Sequence, residues 1–136
     1  MKYLFDTDTI SELFRPSPSI ELIRRLATTP AEDQATSSIT LGELLYGALR
    51  SPERTAVLVE RIERRVASNL RILPFDAVAA SEYGALRVQL ERRGTPIGDA
   101  DMRIAAIALA NDLTVITGNV RHFERVDGLQ VENWMA

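Results

Sequence analysis

An α/β fold, with a central and mainly parallel sheet flanked by helices, is what this sequence predicts, and three observations predict it. Short apolar runs recur along the chain as YLF, QATSSI, LRILPF and LTVITG. Helical periodicity follows the first three runs and precedes the fourth, and strands alternating with helices of this length argue for parallel crossover units with helices on both faces. A chain of 136 residues, 46% hydrophobic and 26% charged, is also long and apolar enough to bury a core in one domain. That domain is expected to occupy residues 1–136, with no repeat, linker or low-complexity segment interrupting it.

Taken in order, Lys2 to Phe5 reads as a short buried strand. From Asp8 the pattern turns helical, with Ile10, Leu13 and Phe14 on one side until Pro16 stops it. Ser19 opens a second helix carrying Ile20, Leu22, Ile23 and Leu26, and Thr28 to Pro30 close it. QATSSI suits a strand, and a helix is expected from about Thr40 to Leu49, ended by Ser51-Pro52. An amphipathic helix then runs from Glu53 to about Ala67, with Val57, Leu58, Ile62 and Val66 on its apolar side. LRILPF is a strand. Asp76 caps a long helix through Arg93, and Gly94 ends it. TPIG is a loop before a helix from Asp99 to Asn111, LTVITG is another strand, and LQVEN a short last one.

Composition narrows the function. There is no cysteine, which removes disulfide frameworks and zinc–thiolate sites. No apolar stretch approaches a membrane span, and no basic region with a signal-type segment opens the chain, so a cytoplasmic location without membrane attachment is expected. A net charge of −3 opposes nucleic-acid binding through a broad basic face. Lys2 is the sole lysine, so the positive charge is almost entirely arginine, whose planar fork suits phosphate.

The chemistry concentrates in acids that the topology would gather. Ligands of open α/β sheets bind beyond the carboxyl ends of the strands. Asp6 and Asp8 follow the first strand, Glu43 lies just past the second, Thr117 to Asn119 follow TVIT, and Asp99 and Asp101 open the preceding helix. Each acid has a local structural account. Asp6 or Asp8 can cap a helix, TLGE has the spacing of a capping box between Thr40 and Glu43, and Asp99 and Asp101 suit a first helical turn. Clustering them is nevertheless costly unless a cation neutralises them. With one histidine and no thiol, an all-oxygen site for Mg²⁺ or Mn²⁺ acting on a phosphoryl compound is the reading the residues support.

Two families resemble these motifs. YLFDTDTI resembles the DxDx[TV] motif of haloacid-dehalogenase-like phosphatases, which implies Asp6 as nucleophile and Asp8 as acid, and GDADMRIAA is similar to their late Gly-Asp element. That match departs at Met102 and Arg103, supplies no lysine after the first strand, and leaves Glu43 unused. The PIN-domain nucleases, specifically the VapC- and FitB-like toxins of bacterial toxin–antitoxin pairs, resemble nearly the whole chain. YLFDTDTISEL, SSITLGELLYGA, LPFDAVAASEYGALRVQLERRGTPIG and DADMRIAAIALANDLTVITGNVRHFERVDGLQVENW follow in their order.

The second resemblance implies a three-layer PIN-like fold and metal-assisted hydrolysis of an RNA phosphodiester by an activated water, in the manner of an endoribonuclease. It assigns Asp6, Glu43 and Asp101 as ligands of Mg²⁺ or Mn²⁺, and Asn119 to the place where many members carry a fourth acid. An amide oxygen adds no charge there, so one metal is implied more firmly than two. Thr7, Asp8, Ser11, Asp99 and Thr117 take supporting places, with Asp8 shaping the turn, and His122 belongs to a surface turn anchored by Phe123. The resemblance also implies an RNA substrate, a VapB-like antitoxin, and a homodimer or toxin–antitoxin hetero-oligomer, with Tyr46 and Leu49 as candidate interface residues. A non-catalytic PIN-like scaffold is the remaining reading, and such a module would be expected to lose its acids.

Overall fold

The structure, a computed structural model, describes residues 1–135. Five strands lie in the order β3-β2-β1-β4-β5, every neighbouring pair parallel. They are β1 (Tyr3–Phe5), β2 (Gln34–Ser37), β3 (Arg71–Leu73), β4 (Thr114–Ile116) and β5 (Val131–Glu132). The helices are α1 (Thr7–Leu13), α2 (Ile20–Ala27), α3 (Ser38–Leu49), α4 (Thr55–Ile62), α5 (Ala77–Arg93), α6 (Asp99–Asn111) and α7 (Val120–Phe123). A 3₁₀ turn at Ala31–Asp33 leads into β2, and a π-helical turn at Glu63–Ala67 extends α4.

Strand alternation sorts the core into two layers. Leu4 and Val115 face Leu86 and Leu90 of α5, Ile104, Ala105 and Ala108 of α6, and Phe123. Phe5 and Ile116 face the other way, onto Ile10, Leu22, Ala48, Ile62, Val66 and Trp134. The sheet therefore sits between two helical layers, the predicted three-layer arrangement. The small side chains of α6, fully buried at Ala105, Ala106 and Ala108, let that helix lie close against its neighbours.

Local signals placed several boundaries. Asp76 Oδ1 accepts from the Ala79 amide to start α5, and Gly94 ends it in the left-handed conformation. Ser19 caps α2 as its hydroxyl accepts from the Leu22 amide. The start of α3 departs from expectation. Ser37, not Thr40, is its cap, its hydroxyl accepting from the Thr40 amide, so the helix begins at Ser38 and the strand stops at Ser37. The predicted Thr40–Glu43 capping box does not form, which frees the Glu43 carboxylate. The expected helix over Glu53–Ala67 begins at Thr55, and the VRHF turn is one helical turn with Phe123 fully buried. The end of the expected domain, Ala136, lies outside the described residues.

Candidate active site

Parallel pairing aligns the carboxyl ends of β1, β2 and β4, and α1, α3 and α7 start close beyond them. Asp6 is the hinge between β1 and α1. Its backbone N–H donates to Ile116 O across the β1–β4 pair at 3.1 Å, and its Oδ1 caps α1 by accepting from the Thr9 amide at 2.9 Å. The Thr9 hydroxyl donates to Ile116 O at 2.8 Å, tying the same turn to β4. Asp6 is only 3% exposed. Burial pushes its carboxyl up to about 6, although hydrogen bonds from Thr117 and Thr9 oppose the rise and the Asp8 charge adds to it. A buried acid held between two strand ends is poised to ionise when a cation arrives.

Glu43 reaches the site from α3. Its Oε1 accepts a 2.5 Å hydrogen bond from the Thr7 hydroxyl, which also lies 3.2 Å from Thr40 Oγ1. Ser37 Oγ donates onward to Thr40 Oγ1 at 3.3 Å, so a chain of three hydroxyls joins the ends of β2 and the start of α1 to this carboxylate. The hydroxyl-rich run TSSIT is the sequence signal for this hydroxyl chain, although locally it suits only a strand and a cap.

Asp101 comes from the first turn of α6 and is partly buried. Its pKa is raised first by burial and then by the charges of Glu43 and Asp8, while His122 pulls it the other way. Those couplings bring Asp101, Glu43 and Asp8 into one electrostatic field. Asn119 starts α7 with its amide N–H donating to Thr117 Oγ1 at 2.9 Å, and its side-chain amide donates to His122 Nδ1 at 2.7 Å. His122 Nδ1 lies 4.0 Å from Asp101 Oδ2. The sequence placed His122 in a surface turn, and the structure instead brings it to the edge of the acidic group.

Two supporting residues fall elsewhere. Asp99 is half-exposed and paired with Arg103 at 2.9 Å and with the Tyr83 hydroxyl at 2.5 Å, with Arg87 at 3.9 Å. These partners hold its pKa low, the Tyr83 hydrogen bond first. Two residues along a helix are about 200° apart, so Asp99 and Asp101 cannot share a face. Ser11 is exposed on α1, lining a groove with Phe14, Leu44, Ala48 and Ile62 away from the acids. Asp8 is exposed beside Asp6, where its charge reaches both Asp6 and Asp101.

The donors fit a hard divalent cation in kind: carboxylates from Asp6, Glu43 and Asp101, the Asn119 amide oxygen, hydroxyls and no thiol. Among the described residues, no three acids or imidazoles close tightly enough to cage a bare ion. Separated carboxylates, with those of Asp6 and Asp101 raised in pKa, suit an ion that keeps part of its water shell, as Mg²⁺ does.

The PIN domain family matches residues 3–129 of this chain. The tRNA(fMet)-specific endonuclease VapC of Salmonella typhimurium is 39% identical over 136 residues, covering 98% of each chain. Toxin FitB of Neisseria gonorrhoeae is 36% identical, covering 96% of this chain and 97% of its own. The crystal structure of VapBC2 from Rickettsia felis, bound to a DNA fragment from their promoter, superposes with a TM-score of 0.88 at 32% identity. It covers 98% of this chain and 99% of that one.

Proposed function

The chain belongs to the PIN-domain family, and from that premise we propose that it is an endoribonuclease toxin of a toxin–antitoxin pair, dependent on Mg²⁺ or Mn²⁺ and held by a VapB-like antitoxin. The observation that carries the reading is the buried Asp6 carboxyl, raised to about 6 at the end of β1, with the Asp8 charge acting on both it and Asp101 and the next residue, Thr7, holding Glu43. Relatives named VapC ribonucleases and structures of VapBC and FitAB complexes support both the activity and the partner. No described helix is long and apolar enough to cross a membrane, and we place the protein in the cytoplasm as a homodimer or toxin–antitoxin hetero-oligomer.

Asp6, Glu43 and Asp101 would hold the metal, with Asn119 as a neutral fourth donor. When bound, the ion supplies Lewis-acid polarisation of a phosphodiester and a water acidic enough to attack it. The chain's own groups do the positioning. Thr7 fixes the Glu43 carboxylate, Thr9 and Thr117 orient Asp6, and Asn119 holds the His122 ring beside Asp101. His122 is thereby placed to donate or accept a proton at the rim, with its Nδ1 already engaged by the amide.

The phosphatase reading is not favoured. Asp8 is exposed at the rim, no lysine stands near Asp6 among the described residues, and Glu43 has a place in the site. A scaffold role is not favoured either, because the acids are kept and positioned. The test is cleavage of RNA by purified protein with and without Mn²⁺ or Mg²⁺. Metal-dependent cleavage that Asp6→Asn and Asp101→Asn abolish supports the reading, and cleavage unchanged in both overturns it.

A further inference from the structure

Four guanidinium groups converge on one shallow basin at the end of α1 away from Asp6. Arg15, Arg54, Arg61 and Arg65, with Phe14 and Pro16, line a concavity of about 400 Å³, and no acid lines it. Arg61 in α4 and Arg65 in the π-helical turn lie four apart on one face, and Arg54, the residue that caps the start of α4, lines the same basin. Arg15 comes from the opposite wall, just past α1. Among the described residues, Arg54, Arg61 and Arg65 have no carboxylate within salt-bridge distance, and Arg15 reaches only Glu12, at 3.5 Å. Arg64, by contrast, is paired with Glu60 at 3.4 Å and Arg24 with Glu21 at 3.0 Å.

Gathering unpaired cations is costly in the same way as gathering acids. Like charges four apart on a helix, as Arg61 and Arg65 are, weaken it. The Arg65 guanidinium stands 5.6 Å from the Phe14 ring, which holds it in place facing the basin. Charge on the whole chain is −3, and its active end carries Asp6, Asp8, Glu43 and Asp101, which repel a polyanion. A phosphodiester chain that reaches those acids needs a cationic hold elsewhere. The basin lies at the far end of α1 from Asp6, seven helical residues or about 10 Å away.

We propose that this arginine basin is a phosphate-binding exosite for the RNA substrate, gripping the backbone about two nucleotides from the bond that is cut. It rests on the ribonuclease reading. Guanidinium forks bind phosphate oxygens in pairs, and an almost wholly cationic lining with one aromatic ring suits a nucleic-acid backbone better than a protein segment, which would anchor through apolar side chains.

The experiment measures binding of a fluorescein-labelled single-stranded RNA in EDTA, where no cleavage occurs, and separately steady-state cleavage with Mn²⁺. Arg61→Gln/Arg65→Gln is compared with the wild type, with Arg61→Lys/Arg65→Lys, and with Arg92→Gln at the end of α5 as an exposed-charge control. Expected for the Gln pair are a Kd and KM raised on the order of tenfold, kcat unchanged, and a salt dependence of log Kd shallower by about 1.4. The Lys pair should recover part of the loss, and the control should match the wild type. Kd, KM and salt slope unchanged in a Gln pair that melts like the wild type would overturn the exosite while leaving the ribonuclease reading intact. Normal RNA binding with lost affinity for an acidic protein segment would also overturn it and make the basin a protein-docking site. Loss equal in Gln and Lys pairs, with a lowered melting temperature, would assign the arginines to folding and overturn it as well. No cleavage by the wild type would defeat the ribonuclease reading first.

Discussion

Asp99 and Asp101 sit two residues apart in the first turn of one helix and live in opposite electrostatic worlds. Asp99 is half-exposed among Arg103, Arg87 and the Tyr83 hydroxyl, and its pKa is lowered. Asp101 faces Glu43 and Asp8, and its pKa is raised. The first region is a surface network in which every negative charge has a partner. The second gathers negative charge and, among the described residues, only His122 pulls against it, while the buried Asp6 adds a further carboxyl. Carboxylates with cationic partners hold a fold together, whereas acids gathered at strand ends without them are the ones a cation from outside would balance.

The strongest way to break this contrast is to remove one charge on each side. Asp101→Asn and Asp6→Asn should reduce metal-dependent RNA cleavage by roughly 10²-fold or more, as expected when a group stabilising the reacting charge is lost. Asp99→Asn should leave the rate within about threefold, and should cost less than about 1 kcal/mol because exposed pairs contribute little. Initial rates at saturating Mn²⁺ decide it, and a loss with Asp99→Asn as large as with Asp101→Asn would erase the distinction.

Stability offers the second test. Asp6 titrates near 6 in the fold and near 3.8 when unfolded, so the native state holds the proton more tightly between those values. Stability is then fullest below about pH 4 and falls as pH rises through 6, by roughly 3 kcal/mol for this group alone. Asp6→Asn should match the wild type in urea unfolding at about pH 3 and exceed it at pH 7.5 by about 1–3 kcal/mol in EDTA. Adding Mn²⁺ at pH 7.5 should stabilise the wild type and narrow that gap. A wild type more stable than Asp6→Asn at pH 7.5 in EDTA would show that Asp6 is already neutralised within the fold.

Much of this architecture was legible because its signals are local. Asp76 and Gly94 bound α5, and the Asp99–Asn111 span of α6 follows from its apolar periodicity. The start of α3 was not legible, since Ser37 and Thr40 are both competent caps. The choice falls to Ser37, where the ladder to β3 ends. The partner of Glu43 is Thr7, 36 residues away, and no window of sequence reveals such a pair. Helical phase could have separated Asp99 from Asp101, but the phase alone does not say which faces the strand ends. His122 required the buried Phe123 to fix the turn that carries it toward Asp101.

A smaller change probes how Glu43 is held. Thr7→Val keeps the shape of the residue and deletes the donor, leaving Glu43 free to rotate. Because the carboxylate itself remains, the rate should fall about tenfold with a higher Mn²⁺ requirement, and stability should change by on the order of 1 kcal/mol. A Mn²⁺ titration of the cleavage rate separates this from Glu43→Gln, which should not be rescued by excess metal.

The smallest effect is expected at Asp8, and it sharpens the contrast most finely. Asp8 carries charge that reaches both Asp6 and Asp101, yet it is exposed and holds neither in place. Asp8→Asn therefore removes a repulsion and nothing else. The raised pKa values of Asp6 and Asp101 should relax toward the ordinary carboxylate range, shifting the acid limb of the pH–rate profile slightly lower, while the rate at neutral pH stays within about threefold. Carbon-13 NMR titration of the aspartate carboxyls would read the shift directly. If Asp8→Asn silenced the enzyme as Asp6→Asn does, Asp8 would be a ligand rather than a neighbour, and the boundary between holding and influencing the cation would have to move outward by one residue.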